Sequence, residues 1–297
     1  MTTALKLNAA APTPDFSGLE FATSADGLPV ARIDDLVLAM VTSSSGFAFL
    51  ASAVFVRRPL ADLTRADFIG HDGRLADEAE FQRRVAETAA HRRDLAALSR
   101  VRTRMSASTP WGGSQMAVIY AEGIVAHSTA GHGGFHLSAD RNVKIHPLLR
   151  KETPWYEEDS EWAIVALSFP DLFTGYERAM AEKTIRNTWP DAWEAIHGAK
   201  LAEGESWARD RRVFDQCHAA DYIVTSAILS VQYPGMTEVV AVVGGDRSSD
   251  DDERHFLVQS DEYAGRGRFG FVIDPDRHAE YHGPSSFIGW RGRGDGS

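Results

Sequence analysis

Apolar, β-branched residues dominate 28–41 and 47–57, and the turn-like run Thr42-Ser43-Ser44-Ser45-Gly46 separates them, which predicts a two-strand unit. The pattern then changes period. Residues 75–101 place Phe81, Val85, Leu95 and Leu98 among alanines and charged residues at helical spacing, with arginines and glutamates able to pair at i,i+4. Residues 119–129 and 135–138 read as strands around the loop Gly131-His132-Gly133-Gly134. Residues 172–188, 190–198 and 206–217 predict three helices, with Pro190 at a first position and Ser206 as a cap. In the last of them Trp207, Val213, Phe214 and Cys217 are expected to pack inward. Four short apolar runs, 222–231, 237–243, 254–259 and 268–273, with glycine-containing turns, predict an antiparallel meander.

These elements give an α+β protein: antiparallel sheet regions, a long N-terminal helix and a central helical insertion. No long Pro/Gly/Ser linker divides it, so residues 26–283 are expected to form one domain, with a subdivision near 104 as the alternative. Residues 1–25 read as a flexible lead-in, 284–297 as a flexible tail, and the acidic stretch 245–253 as a solvated hairpin tip.

Charge and cysteine usage narrow the partners. With 31 basic and 42 acidic residues the formal charge is -11, which disfavours generic adhesion to nucleic acid or anionic membranes. Cys217 is the only cysteine, so no intrachain disulfide can form. No apolar run approaches the length of a membrane span, and the first residues lack a signal-peptide pattern, so a cytoplasmic setting is expected.

The candidate chemistry lies in residues 108–170. The glycines around His132 imply positive φ angles or the close approach of another group, and their amides could cradle an anion. His127, His132 and His136, with Glu157 from the run Glu157-Glu158-Asp159, could supply ligands to a divalent metal, although no cofactor is established by the spacing. If residue 129 faces 134, His127 and His136 oppose each other on one face; if it faces 135, they are on opposite faces. His132 as base or donor with Glu158 or Asp159 as acid or metal ligand would be the catalytic set. The bland reading makes the acidic run a helix first turn capped by Asp159 or Ser160. Trp111 and Trp155, each following a Thr-Pro pair, and Gly131, Gly133 and Gly134 are the candidate binding residues.

The motifs Thr109-Pro110-Trp111-Gly112 with Gln115, Gly131-His132-Gly133-Gly134, and Trp155-Tyr156-Glu157-Glu158-Asp159 with Trp162 and Phe169-Pro170 resemble a domain family of unknown function encoded by bacteria, plasmids and phages. The resemblance covers mainly residues 105–220, and the flanks look like longer alphaproteobacterial members. It implies an accessory role in a mobile-element, stress or defence context and carries no catalytic residue with it. Two functions follow: an accessory protein that binds a macromolecular partner, a protein rather than nucleic acid, or a divalent-metal-dependent hydrolase or nuclease-like enzyme using His132 and the 157–159 cluster.

Overall fold

The computed structural model describes residues 15–246 and 253–287. Residues 1–14 of the expected lead-in, most of the expected acidic tip and residues 288–297 of the expected tail lie outside the described residues. Two compact units divide the chain, Met1–Ala199 and Lys200–Ser297, and residue 104 falls inside the first. The architecture is mixed α+β, with several antiparallel sheets and a central block of helices.

The first unit opens on a five-stranded antiparallel sheet of β1 (Glu20–Thr23), β2 (Pro29–Ile33), β3 (Leu36–Thr42), β4 (Ala48–Val54) and β5 (Arg74–Leu75), in that spatial order. Residues 28–41, read from sequence as one strand, break into two because the chain turns at Asp34, which adopts a φ of 54°. Strand β1 lies within the expected lead-in. Strand β3 is apolar at nearly every position because both its faces are covered. Val37, Ala39 and Val41 meet Leu60, Leu63 and Phe68 on one side, while Leu38 meets Phe81 and Val85 on the other. A half-exposed strand would have alternated; this one could not.

Helix α1 (Glu78–Ala97) starts where Asp77 accepts a hydrogen bond from the Glu80 amide at 2.8 Å. Phe81, Val85 and Ala89, four residues apart, form its buried stripe against the sheet. Leu95, read from sequence as part of that stripe, is exposed. Near the end of α1, Asp94 accepts from the Gly175 amide and His91 Nδ1 meets Thr174 Oγ1, both at 2.8 Å. The helix thereby anchors the segment where a later helix begins.

A second sheet follows: β6 (Val101–Thr103), the two-residue arms β7 (Ser108–Thr109) and β8 (Gly112–Gly113), β9 (Met116–Ala121), β10 (Ile124–Ser128), β11 (Gly133–Leu137), the short helix α2 (Ala139–Asn142) and β12 (Trp155–Glu157). Its spatial order is β12-β11-β10-β9-β6, and β7 and β8 pair only with each other. The strand expected over 119–129 is a hairpin, since Glu122 and Gly123 make a turn with Gly123 at a φ of 76°. Helices α3 (Trp162–Ser168), α4 (Gly175–Thr188) and α5 (Pro190–His197) complete the unit. Neither Asp159 nor Ser160 caps α3: Glu161 stands at its N-cap position and makes no side-chain cap, because its carboxylate is engaged by Lys151 Nζ and the Glu157 amide. Helix α4 begins later than residue 172 because Pro170–Leu172 forms a separate 3-10 turn, and Thr174 with Glu177 builds a capping box. Pro190 and a left-handed Gly198 bound α5 as the sequence predicts.

The second unit holds α6 (Trp207–Cys217), the antiparallel strands β13 (Tyr222–Leu229), β14 (Met236–Val243) and β15 (Arg254–Gln259), and α7 (Ser260–Ala264). Residues 268–273 form no strand, but Ile223 and Val272 make an isolated bridge that places them against β13. Ser206 caps α6 by accepting from the Arg209 amide. The inward packing expected of α6 is not found: none of its residues is buried, and Trp207, Val213 and Cys217 are exposed. Its aromatic residues contact Phe269 instead. In the middle strand, Glu238 is fully buried and its carboxylate accepts from the Ser286 amide at 2.6 Å and from Ser285 Oγ at 2.8 Å. Burial works against its charge, but these hydrogen bonds outweigh burial and hold its pKa below the ordinary value.

Candidate functional site

Strands β10 and β11 pair Ser128 with Gly133, His127 with Gly134 and Val125 with His136. This is neither of the registers weighed from the sequence, because Thr129 does not enter the ladder. It latches the loop instead, its amide and Oγ1 donating to the His132 carbonyl at 2.9 and 2.6 Å. On the other side of β11, Gly134 faces Glu157 and His136 faces Trp155. By the two-residue period of a strand, His127, Gly134, His136, Trp155 and Glu157 share one face of the sheet, while Ala126, Gly133, Phe135 and Tyr156 share the other.

The paired glycines supply space. A Cβ at Gly134 would overlap the Trp111 ring and the Tyr156 carbonyl oxygen; one at Gly133 would overlap the Glu158 carboxylate and the His127 carbonyl oxygen. Neither has a positive φ, so close approach, one of the two readings open from the sequence, is their role. Gly131 faces open space.

Trp111 reaches Gly134 from the tight turn between β7 and β8. There Thr109 Oγ1 donates to the Gly112 carbonyl at 2.8 Å, and Gly112 has a φ of 119°. The two Thr-Pro-Trp motifs meet in space, Trp111 and Trp155 packing edge to face with centroids 5.8 Å apart. The Trp155 ring also contacts His136 at 4.5 Å and His127 at 5.5 Å, and His127 Nδ1 lies 3.0 Å from Ser114 Oγ. Burial pushes the pKa of both histidines down, and for His127 the neighbouring His136 adds to it.

A histidine whose pKa is lower folded than unfolded binds fewer protons in the native state, so its contribution is complete above the unfolded value near 6.5 and is lost as pH falls below it. The stability of the chain is therefore expected to decline between about pH 7 and 5, and the His136→Gln variant to decline less. Urea melts monitored by tryptophan fluorescence across that range provide the check. Parallel declines for the two proteins would remove these histidines from the account.

His132, Glu157 and Glu158 converge at the open end of the β10–β11–β12 ladder. One ligand atom from each lies within 4.8 Å of the other two, so the three could hold a divalent metal. His132 Nδ1 is 3.9 Å from Glu157 Oε1. Glu157 spends Oε2 on the Asp159 amide at 2.8 Å, while its Oε1 is buried and has no hydrogen-bond partner among the described residues. Of the residues singled out in sequence, His132, Glu157 and Glu158 come together. Asp159 contributes its amide to the arrangement, and His127 and His136 stand with Trp155 rather than in the cluster.

Glu158 also borders a cleft of about 270 Å³ on the helix side of the sheet, walled by Tyr120, Phe135, Trp162 and Phe173, with Glu177 also in its lining. Arg100 stacks on Tyr120 at 4.2 Å and on Phe173 at 5.3 Å, and grips both oxygens of Glu177 at 2.9 and 2.6 Å. Burial acts to raise the Glu177 pKa, but the hydrogen bonds from Arg100 and the Thr174 amide outweigh it and leave the pKa lowered. Sequence reasoning missed Arg100, Tyr120 and Glu177. Only the Thr174-x-x-Glu177 capping pattern was there to be read, and it spoke for a helix start.

Residues 104–219 match the model of a family described as a domain of unknown function (DUF7007), so that domain is present over this part of the chain and contains the whole cluster and every residue that lines the cleft. No curated protein and no solved structure matches the chain. Among the described residues, no helix is long and apolar enough to cross a membrane.

Proposed function

We propose that the chain is a divalent-metal-dependent hydrolase whose metal is held by His132, Glu157 and Glu158, with substrate entering the adjoining cleft. The observation that carries this reading is the buried Oε1 of Glu157, which accepts no hydrogen bond among the described residues and lies 3.9 Å from His132 Nδ1. A buried carboxylate oxygen without a donor is costly, and a cation supplies the missing interaction. One imidazole and two carboxylates suit Zn²⁺ or Mn²⁺ and leave coordination positions for water and substrate. The metal would acidify that water, and Glu158, which also lines the cleft, would set the metal beside the bound molecule.

Calorimetric titration of the metal-stripped chain with Zn²⁺ and Mn²⁺ tests the reading. One equivalent is expected to bind, and Glu158→Gln and His132→Ala are each expected to weaken binding by about tenfold or more. Failure of the unaltered chain to bind either ion at micromolar concentration would overturn it. A second reading, an accessory protein that engages a macromolecular partner in a mobile-element or defence setting, draws on the exposed apolar side chains of Leu229, Val231 and Tyr233 around the β13–β14 turn.

A further inference from the structure

We infer that the cleft beside Glu158 recognises a flat, positively charged group of the amidinium or guanidinium type, the arm by which a substrate is held next to the metal cluster. This rests on the hydrolase reading for its place in a reaction, but the cleft's own chemistry specifies the ligand. At about 270 Å³ the cavity lies just below the roughly 300–1,000 Å³ of drug-sized sites and admits about one ring-sized group. Its walls are the faces and edges of Tyr120, Phe135, Trp162 and Phe173, which attract a planar cation through their ring quadrupoles.

The protein already uses this chemistry on itself. The Arg100 guanidinium lies over Tyr120 and Phe173 and ends on the Glu177 carboxylate. The ligand would repeat that arrangement from the open side, stacked on the remaining aromatic surface with its charge on the Glu158 oxygen that a metal would leave free. Arg100 neutralises Glu177, whereas the carboxylate of Glu158 has no hydrogen bond or ion pair among the described residues and is the charge left over. Among the described residues no lysine or arginine lines the cleft, and besides two carboxylates and ring faces an anion would meet only His127, whose Nδ1 is already taken up by Ser114. Ser128 adds a hydroxyl at the rim for a neutral polar contact.

Benzamidine serves as the probe and benzoate as its anionic counterpart, each titrated into the full chain in EDTA and followed by the Trp162 indole N–H signal, assigned with Trp162→Phe. Benzamidine is expected to shift that signal saturably, with benzoate at least about tenfold weaker, a gap of about 1.4 kcal/mol. Ala126→Leu, which fills the cleft from β10, is expected to abolish benzamidine binding while leaving Zn²⁺ affinity unchanged. Glu158→Gln, an exposed and isosteric change, is expected to weaken benzamidine severalfold. Equal binding of benzoate, no binding of either, or binding untouched by both variants would overturn the inference. Because the titration is metal-free, loss of the Zn²⁺ site with benzamidine binding intact would fell only the hydrolase reading, and the reverse result only this one.

Discussion

Alanine in place of Gly134 is expected to destabilise the protein by about 3 kcal/mol, at the upper end of what overpacking costs. The added methyl would overlap the Trp111 ring on one side and the Tyr156 carbonyl oxygen on the other. A ring alone could swing away. The carbonyl belongs to β12, whose pairing with β11 at Gly134, Phe135 and His136 fixes it in place. Relief would have to come from displacing Trp111 from Trp155, or from parting the two strands that present Glu157. Gly131→Ala is the matched control: its methyl would project into open space and its φ is not positive, so a change within about 0.5 kcal/mol is expected. Urea melts of the two variants decide the matter, and similar midpoints would show that the glycine pair is not there for space.

Removing the Arg100 side chain by Arg100→Ala is expected to cost about 2–3 kcal/mol at pH 7, somewhat less than the range for fully buried pairs because both partners keep some contact with water. Two losses combine. Glu177 is left charged without its two guanidinium hydrogen bonds, and Tyr120 and Phe173 lose the cation stacked on them. The first loss depends on pH with a definite sign. In the intact protein the folded pKa of Glu177 is lowered, so its contribution is present above the unfolded value near 4.5 and is lost as pH falls below it. The gap between the unaltered chain and Arg100→Ala should therefore hold from pH 7 to about 5 and narrow as pH falls below about 4.5. A constant gap would assign the whole effect to stacking, and Arg100→Lys, which keeps the charge but not the two-pronged grip, separates the parts further.

What could be read from the sequence was whatever depends on near neighbours. Helix α1, the Pro190 to Gly198 helix and the Ser206 cap announce themselves through spacing and end residues that act within a turn or two. The doubly covered β3 and the hairpin at Gly123 were harder, because a continuous apolar run hides where a chain reverses. Within the site, the local chemistry of His132, Glu157 and Glu158 drew attention before any fold was known, but their convergence depends on the ladder between β10, β11 and β12. That register is set by Thr129, whose hydroxyl withdraws it from the strand. Arg100 and Glu177 are separated by 76 intervening residues and meet only because α1 anchors the start of α4. For α6 the opposite held: a strong apolar stripe promised burial, yet its neighbours leave it open along a cavity of about 600 Å³ that includes Val213, Phe214 and Cys217.

Glu238 brings the segment after Pro284 into the account of the second unit. Its carboxylate is hydrated by the chain itself, with the Ser285 hydroxyl and the Ser286 amide standing where water molecules would stand around an exposed acid. A label, a linker or a protease cut introduced just ahead of Ser285 would do more than loosen a peripheral strand of chain. It would take two donors from a charge in the middle of a sheet and leave it to His255, and the damage would surface in β14, remote in sequence from the place that was changed.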